Sequence, residues 1–223
     1  MRKSLYIQAI IKYILGVLFV GIFLFLPAGS FHYENGWLLM AILFIPMGIV
    51  GIVLMKVNPS LLAKRLKMKE SEKIQKKVIG ASALMFISAF VLAGFSYRYE
   101  FLLLPKSWSL CFSIVFLFGY ALFGLVLKEN VYLSRSIEVQ KNQVVVDTGL
   151  YGIVRHPMYL ATLILFLSMG FILGSIVSVG ILCFYIPIIS KRIENEEQVL
   201  EKQLAGYKAY QHKVKYKMIP KIW

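Results

Sequence analysis

The chain reads as an all-α integral membrane protein: four transmembrane helices, a C-terminal helical hairpin and an amphipathic cytoplasmic helix. Three observations predict this. Of 223 residues, 59% are hydrophobic and 16% charged, against roughly 45–50% and about 25% in soluble domains, so the chain is too apolar to be soluble or disordered. Apolar runs of the ~20 residues needed to cross ~30 Å of hydrocarbon recur along it. The basic excess, Lys+Arg 25 against Asp+Glu 11, is gathered in alternate connections between those runs, as the positive-inside rule expects. The length suits one compact membrane unit.

The spans follow in order. Leu5 to Leu26 is the first, interrupted only by Gln8 and Lys12 near its start. Its opening Met1-Arg2-Lys3 imitates a signal peptide, but the apolar run exceeds the usual ~7–15 residues and predicts a retained span. Trp37 to Val57, Val78 to Tyr97 and Trp108 to Leu127 are the second, third and fourth, and none carries a charge at its middle, where a charge is costly. Tyr159 to Ser190 is apolar but, at 32 residues, too long for one span. Gly170, Gly174 and Ser175 mark a turn near its middle. It therefore reads as a hairpin with arms of ~15 residues, somewhat short of a full crossing at ~1.5 Å per residue.

Charge placement sets orientation. The 58–77 connection holds Lys64, Arg65, Lys67, Lys69, Lys73, Lys76 and Lys77, whereas Pro27 to Gly36 holds no Lys or Arg, and Arg98 to Ser107 holds only Arg98 and Lys106. Lys128, Arg135, Lys141 and Arg155 lie in 128–157, and eight Lys or Arg follow Ser190. Both termini and the two long connections are thus expected in the cytoplasm of a multi-pass protein, in a bacterial cell membrane. The alternation holds only if the last apolar region returns to its starting side. The 58–77 segment reads as a plain cytoplasmic loop, with anionic lipid headgroups as a further partner. Nucleic acid is excluded as a partner, because no segment is a soluble basic module with stacking aromatics. The organisation is then a four-span region, 1–127, followed by a catalytic region, 128–223, made of a loop 142–159, the hairpin 159–190 and a helix with tail 191–223.

Cys111 and Cys183 lie in apolar stretches with no CxxC, and read as buried small hydrophobes. His32 and His212 stand alone, and no ligand spacing suggests a metal.

Chemistry gathers in the C-terminal third. In Asp147-Thr-Gly-Leu-Tyr-Gly-Ile-Val-Arg-His-Pro-Met-Tyr159, His156 precedes a proline and is biased to extended backbone. Pro157 suits a first helical turn. Arg155, His156 and nearby N–H groups then sit at a helix N-terminus, which attracts anions; the plainer reading is a basic anchor beside a cap. The segment from Lys191 onward reads as an amphipathic helix with an apolar stripe of Ile193, Leu200, Leu204 and Tyr207. Glu197 falls on that stripe, and Arg192 and Glu196 share a face four residues apart. An exposed ion pair there would be worth little.

These two stretches resemble the motifs of the isoprenylcysteine carboxyl methyltransferase family, related to membrane phospholipid methyltransferases. Arg155-His-Pro-Met-Tyr159 looks like its RHPxY motif; Arg192 to Leu200, Gly206-Tyr207, Tyr210 and the ending Val214 to Pro220 look like its second motif. The specific likeness covers roughly Asn142 to Trp223. It implies a membrane enzyme using S-adenosyl-L-methionine at the cytoplasmic face. Carried over by motif, Tyr151, His156, Pro157, Met158, Tyr159 and Glu196 surround the cofactor, Arg192 faces the substrate carboxylate, and Arg155 shares that role or neutralises the site. Glu197 touches the donor, orients Arg192 or faces other polar groups. Gln143 to Val146 fall where the family contacts its cofactor; Tyr207 and Tyr210 are set aside as packing residues. The implied acceptor is a prenylated or other lipophilic carboxylate drawn from the bilayer. Methylation of a phospholipid amine, a membrane-embedded nicotinamide-dependent reductase and a transporter are the alternatives. A transporter would carry polar residues or repeats within its spans.

Overall fold

The computed structural model describes residues 2–66, 73–134, 137 and 139–223; of residues 2, 73 and 74 only the backbone is described. Lys67, Lys69 and Arg135, counted above among the basic residues, lie outside the described residues. Among those described the fold is all helical: α1 Arg2–Ala28, α2 Glu34–Val57, α3 Pro59–Leu66, α4 Lys73–Arg98, α5 Lys106–Glu129, α6 Pro157–Ile172, α7 Ile176–Leu182, α8 Tyr185–Gln203 and α9 Tyr207–Lys213. α1, α2, α4, α5 and the α7–α8 stretch are long and apolar enough to cross a membrane, and α6 is a shorter apolar helix. The protein is an all-α integral membrane protein.

Two ends of the bundle are defined by contacts. At one end the α1–α2 turn, the α4–α5 connection and the hairpin tip meet: the Tyr33 hydroxyl donates to the Leu173 carbonyl at 2.6 Å, and Leu103 pairs with Ser175. The tip thus reaches the level of the other far-side connections, and α6 suffices for this at ~1.5 Å per residue. At the opposite end Lys12 donates to the Leu66 carbonyl at 2.6 Å, and Lys64 to the Val131 carbonyl at 3.1 Å. The hairpin returns to this second end, which carries the N-terminal part of α1, the described residues of both long connections and residues 191–223.

Apolar surroundings demand that each backbone polar group be satisfied within the protein. Pro46 interrupts the α2 ladder, and hydroxyls from neighbouring helices serve carbonyls beside it: Tyr120 donates to Leu43 at 2.6 Å and Tyr13 to Phe44 at 3.0 Å. With lipid as apolar as leucine, close approach of helices is what holds the bundle. α1 crosses α4 at Gly94, where a Cβ would stand 2.6 Å from the Leu24 carbonyl oxygen. α6 and α7 meet at Gly170, where a Cβ would stand 2.7 Å from the Val179 nitrogen. Gly170→Ala is therefore expected to cost ~1–3 kcal/mol by overpacking. Gly124, with nothing within 4 Å, is the control: Gly124→Ala should leave the thermal midpoint in detergent unchanged or raise it, while Gly170→Ala lowers it.

The structure corrects the sequence reading in four places. The amphipathic segment is not a separate helix: α8 begins at Tyr185, inside the apolar run, and continues past Lys191, because a change of polarity does not break a helical backbone. The break in the returning arm falls instead at Cys183–Phe184. The apolar stripe is also split, since α8 ends at Gln203 and a turn with Gly206 at φ 83° puts Leu204 and Tyr207 beyond it. The 58–77 segment is not a plain loop, for α3 is capped by Asn58, whose Oδ1 accepts from the Leu61 N–H at 3.1 Å, and buries Leu61 and Leu62. Cys111 and Cys183 are exposed on the outer faces of the bundle. An apolar neighbourhood in a membrane span does not imply burial, because lipid serves as well as a core.

Candidate active site

The α5–α6 connection, the start of α6, the polar half of α8 and α9 enclose a cavity at the end of the bundle that holds both motifs. It is lined by Asn130, Tyr132, Leu133, Ser134, Ile137, Gln143 to Val146, Tyr151, Arg155, His156, Met158, Tyr159, Arg192, Glu196, Leu200, Leu204, Tyr207 and Tyr210. Its floor is a small apolar cluster of Leu204, Tyr207, Tyr210 and Val214, packed against Val139, Val145 and Leu200.

Local backbone explains how Tyr151 enters it. The Glu129 carboxylate, at the end of α5, accepts from the Leu150 N–H at 2.9 Å and so caps a short 3-10 turn over Gly149–Gly152. Gly149 has φ 56°, and a Cβ on it would stand 2.5 Å from the Glu129 Oε1. Only glycine fits. The turn buries Tyr151, whose carbonyl accepts from the Tyr210 hydroxyl at 2.7 Å. Burial pushes the Tyr151, Tyr207 and Tyr210 phenols above their ordinary range, so all three are neutral hydroxyls.

Arg155, His156 and Glu197 form a buried polar corner behind the cavity. Glu197 Oε1 accepts from Arg155 Nε at 2.7 Å and lies 3.0 Å from His156 Nε2; the Lys217 Nζ approaches Oε2 at 3.7 Å. Arg155 also donates through Nη1 to the Val214 and Lys215 carbonyls at 2.8 and 2.9 Å. Burial opposes ionisation of Glu197, but the His156 and Arg155 hydrogen bonds and charges outweigh it and hold its carboxyl down at about 2. The backbone joins in: the Arg155 N–H donates to the Tyr216 carbonyl at 3.0 Å and the His156 N–H to Lys217 at 2.7 Å. These two N–H groups, which sequence reasoning offered to an anionic ligand, are therefore taken by the C-terminal tail.

A second polar chain crosses the cavity wall. The Tyr159 hydroxyl donates to Glu196 and accepts from Arg192 Nε at 3.0 Å. Arg192 Nη1 donates to the Gln75 Oε1, on α4, at 2.8 Å. Beyond this wall lies another cavity, between α4, α6 and α8, lined by Arg65, Val78, Ile79, Ser82, Ala83, Phe86, Ser134, Met158, Tyr159, Thr162, Phe166, Tyr185, Ile188, Ile189 and Arg192. The two cavities share Ser134, Met158, Tyr159 and Arg192. The first is rich in tyrosine and polar groups; the second is mostly apolar and lies at the level of the spans.

Of the residues singled out from sequence, Tyr151, Arg155, His156, Met158, Tyr159, Arg192 and Glu196 line the first cavity. Pro157 and Glu197 do not: Pro157 is fully buried at the first turn of α6, and Glu197 is turned into the corner with Arg155. Arg155 meets the cavity wall, but its guanidinium is spent on Glu197 and the tail carbonyls. Tyr207 and Tyr210, set aside as packing residues, line the cavity too, as do Gln143 to Val146. Asn130, Tyr132 and Gln75 were missed. A neutral amide among the lysines at the head of a span was the one signal for Gln75; nothing marked Asn130 or Tyr132. Among the described residues no group of His, Cys, Asp and Glu is placed to hold a metal.

Comparison with known proteins agrees with the motif resemblance. Residues 110–202 match the model of the isoprenylcysteine carboxyl methyltransferase (ICMT) family. No curated protein matches the chain.

Proposed function

We propose that this chain, a membrane methyltransferase by its match to the ICMT family over residues 110–202, transfers a methyl group from S-adenosyl-L-methionine to the carboxylate of a prenylated or otherwise lipophilic acceptor. The observation that carries the reading is the shared wall: Arg192 and Tyr159 face a polar, tyrosine-rich cavity on one side and an apolar, membrane-level cavity on the other.

The residues of the polar cavity fit such a donor. Tyr151, Tyr207 and Tyr210 offer aromatic faces to an adenine ring or a sulfonium, for which a cation–π contribution of ~0.5–2 kcal/mol is typical. The Glu196 carboxylate suits an amino group or ribose hydroxyls. When bound, the donor supplies an electrophilic methyl on a sulfonium. A carboxylate acceptor is ionised at neutral pH, so no general base is required, and the task left to the chain is alignment. Arg192 holds the acceptor carboxylate with charge-assisted hydrogen bonds. Tyr159, bonded to both Arg192 and Glu196, ties the acceptor's anchor to the donor's. The apolar cavity receives the acceptor's tail between Phe86, Phe166 and Ile188. Basic residues gathered at the end that carries the site support reading that end as the cytoplasmic one.

Purified protein in detergent, given methyl-labelled S-adenosyl-L-methionine and a farnesylated N-acetylcysteine, should place label in the organic phase. Mild base should release that label as volatile methanol. Base-stable label on a lipid extract indicates an amine acceptor and overturns the carboxylate assignment. No transfer to any lipid, with no binding of donor by calorimetry, overturns the methyltransferase reading of the site.

A further inference from the structure

Gln75 sits in the first turn of α4, in the part of the chain that the family match does not reach. Its neighbours Lys76 and Lys77 are exposed, yet Gln75 itself is wholly buried. Burying an amide is unfavourable unless its polar atoms are paired. Both are paired to one residue 117 positions away: Oε1 accepts from Arg192 Nη1 at 2.8 Å, and Nε2 donates to the Arg192 carbonyl at 3.4 Å. The same helix contributes Val78, Ile79 and Phe86 to the apolar cavity.

We propose that Gln75 is the positioning residue for Arg192, resting on the role given to Arg192 above. One guanidinium nitrogen is held from α6 by Tyr159 and another from α4 by Gln75, so the plane of the fork cannot rotate about its stem. A neutral acceptor at this place orients the guanidinium without discharging it. A carboxylate there would compete with the acceptor's own carboxylate for the same charge. The helix that receives the lipid tail thereby also sets the anchor for its head, and acceptor recognition extends to the N-terminal half of the chain.

The test is a comparison of wild type, Gln75→Ala and Gln75→Glu in detergent. For each, the KM for the farnesylated N-acetylcysteine, kcat, donor affinity by calorimetry and the thermal midpoint are measured. Losing one hydrogen bond to a charged group should raise the acceptor KM about tenfold in Gln75→Ala, with donor affinity within about twofold of wild type. Gln75→Glu keeps the size and the oxygen that accepts from Arg192 Nη1 but loses the Nε2 donor to the Arg192 carbonyl, so its thermal midpoint should fall no further than that of Gln75→Ala, while its acceptor KM rises further than that of Gln75→Ala. An acceptor KM unchanged in both variants overturns the proposal. So does a parallel loss of donor affinity, acceptor affinity and thermal midpoint in both, which marks a purely structural amide. Wild type that methylates no carboxylate is a failure of the functional reading instead, and is visible before any variant is compared.

Discussion

Arg192→Ala is expected to lower kcat/KM for a lipophilic carboxylate ~10²–10⁴-fold, the loss of two hydrogen bonds between charged groups at about 1.5–3 kcal/mol each. Donor affinity should stay within about threefold. Arg192→Lys should recover little, since an ammonium cannot reproduce the flat fork that meets Tyr159 and Gln75 at once. Glu196→Ala should do the reverse and remove donor binding before anything else. Tyr159→Phe breaks the bond to each, so both constants should worsen together. The measurements are steady-state kinetics with the farnesylated N-acetylcysteine and calorimetry with S-adenosyl-L-methionine. An Arg192→Ala enzyme with unimpaired kcat/KM would show that the acceptor is held elsewhere.

Glu197→Ala should have the largest effect on stability. It leaves the Arg155 guanidinium buried without its carboxylate partner, and breaking a buried pair on one side typically costs ~3–5 kcal/mol. In a chain of this size that corresponds to a fall of about 10 °C in the thermal midpoint. The tail should loosen first, because Arg155 is what binds the Val214 and Lys215 carbonyls; trypsin cleavage near Lys215 and Lys217 reports it. The same group sets an acid limit. The folded carboxyl is held at about 2, below its ordinary value of 4.5, so its contribution is fully present above about pH 4.5 and is lost as the pH falls toward 2. Glu197→Gln, which cannot ionise, should flatten stability across that interval. A midpoint equally acid-sensitive in Glu197→Gln assigns the sensitivity to other groups.

Where the sequence was transparent, one physical demand left a single solution. A run of 20 apolar residues has no other use than crossing hydrocarbon, so all four long spans were legible to within a few residues. Gly170, Gly174 and Ser175 marked the hairpin tip because a backbone at φ 69°, as at Gly174, favours glycine. Where several solutions exist, the reading failed. α3 is eight residues long, too short for its periodicity to stand out among lysines. Nothing in Ser190-Lys191 tells a continuous helix from two. Tyrosine packs and binds with the same face, so Tyr207 and Tyr210 could not be sorted by type. Glu197 was rightly conspicuous on an apolar stripe, yet the partner that explains it, Arg155, lies 42 positions away and only the fold brings them together. Gln75 showed only as a neutral amide among lysines, and the partner that explains it, Arg192, lies 117 positions away.

The wall made by Tyr159 and Arg192 has a kinetic consequence. If the donor occupies the polar cavity and the lipid the apolar one, neither stands in the other's path of entry or exit. Binding is then random in order, and the two products depart independently. An inhibitor confined to one cavity competes with one substrate alone, and a molecule that threads past Arg192 to fill both gains from linkage what two separate inhibitors cannot.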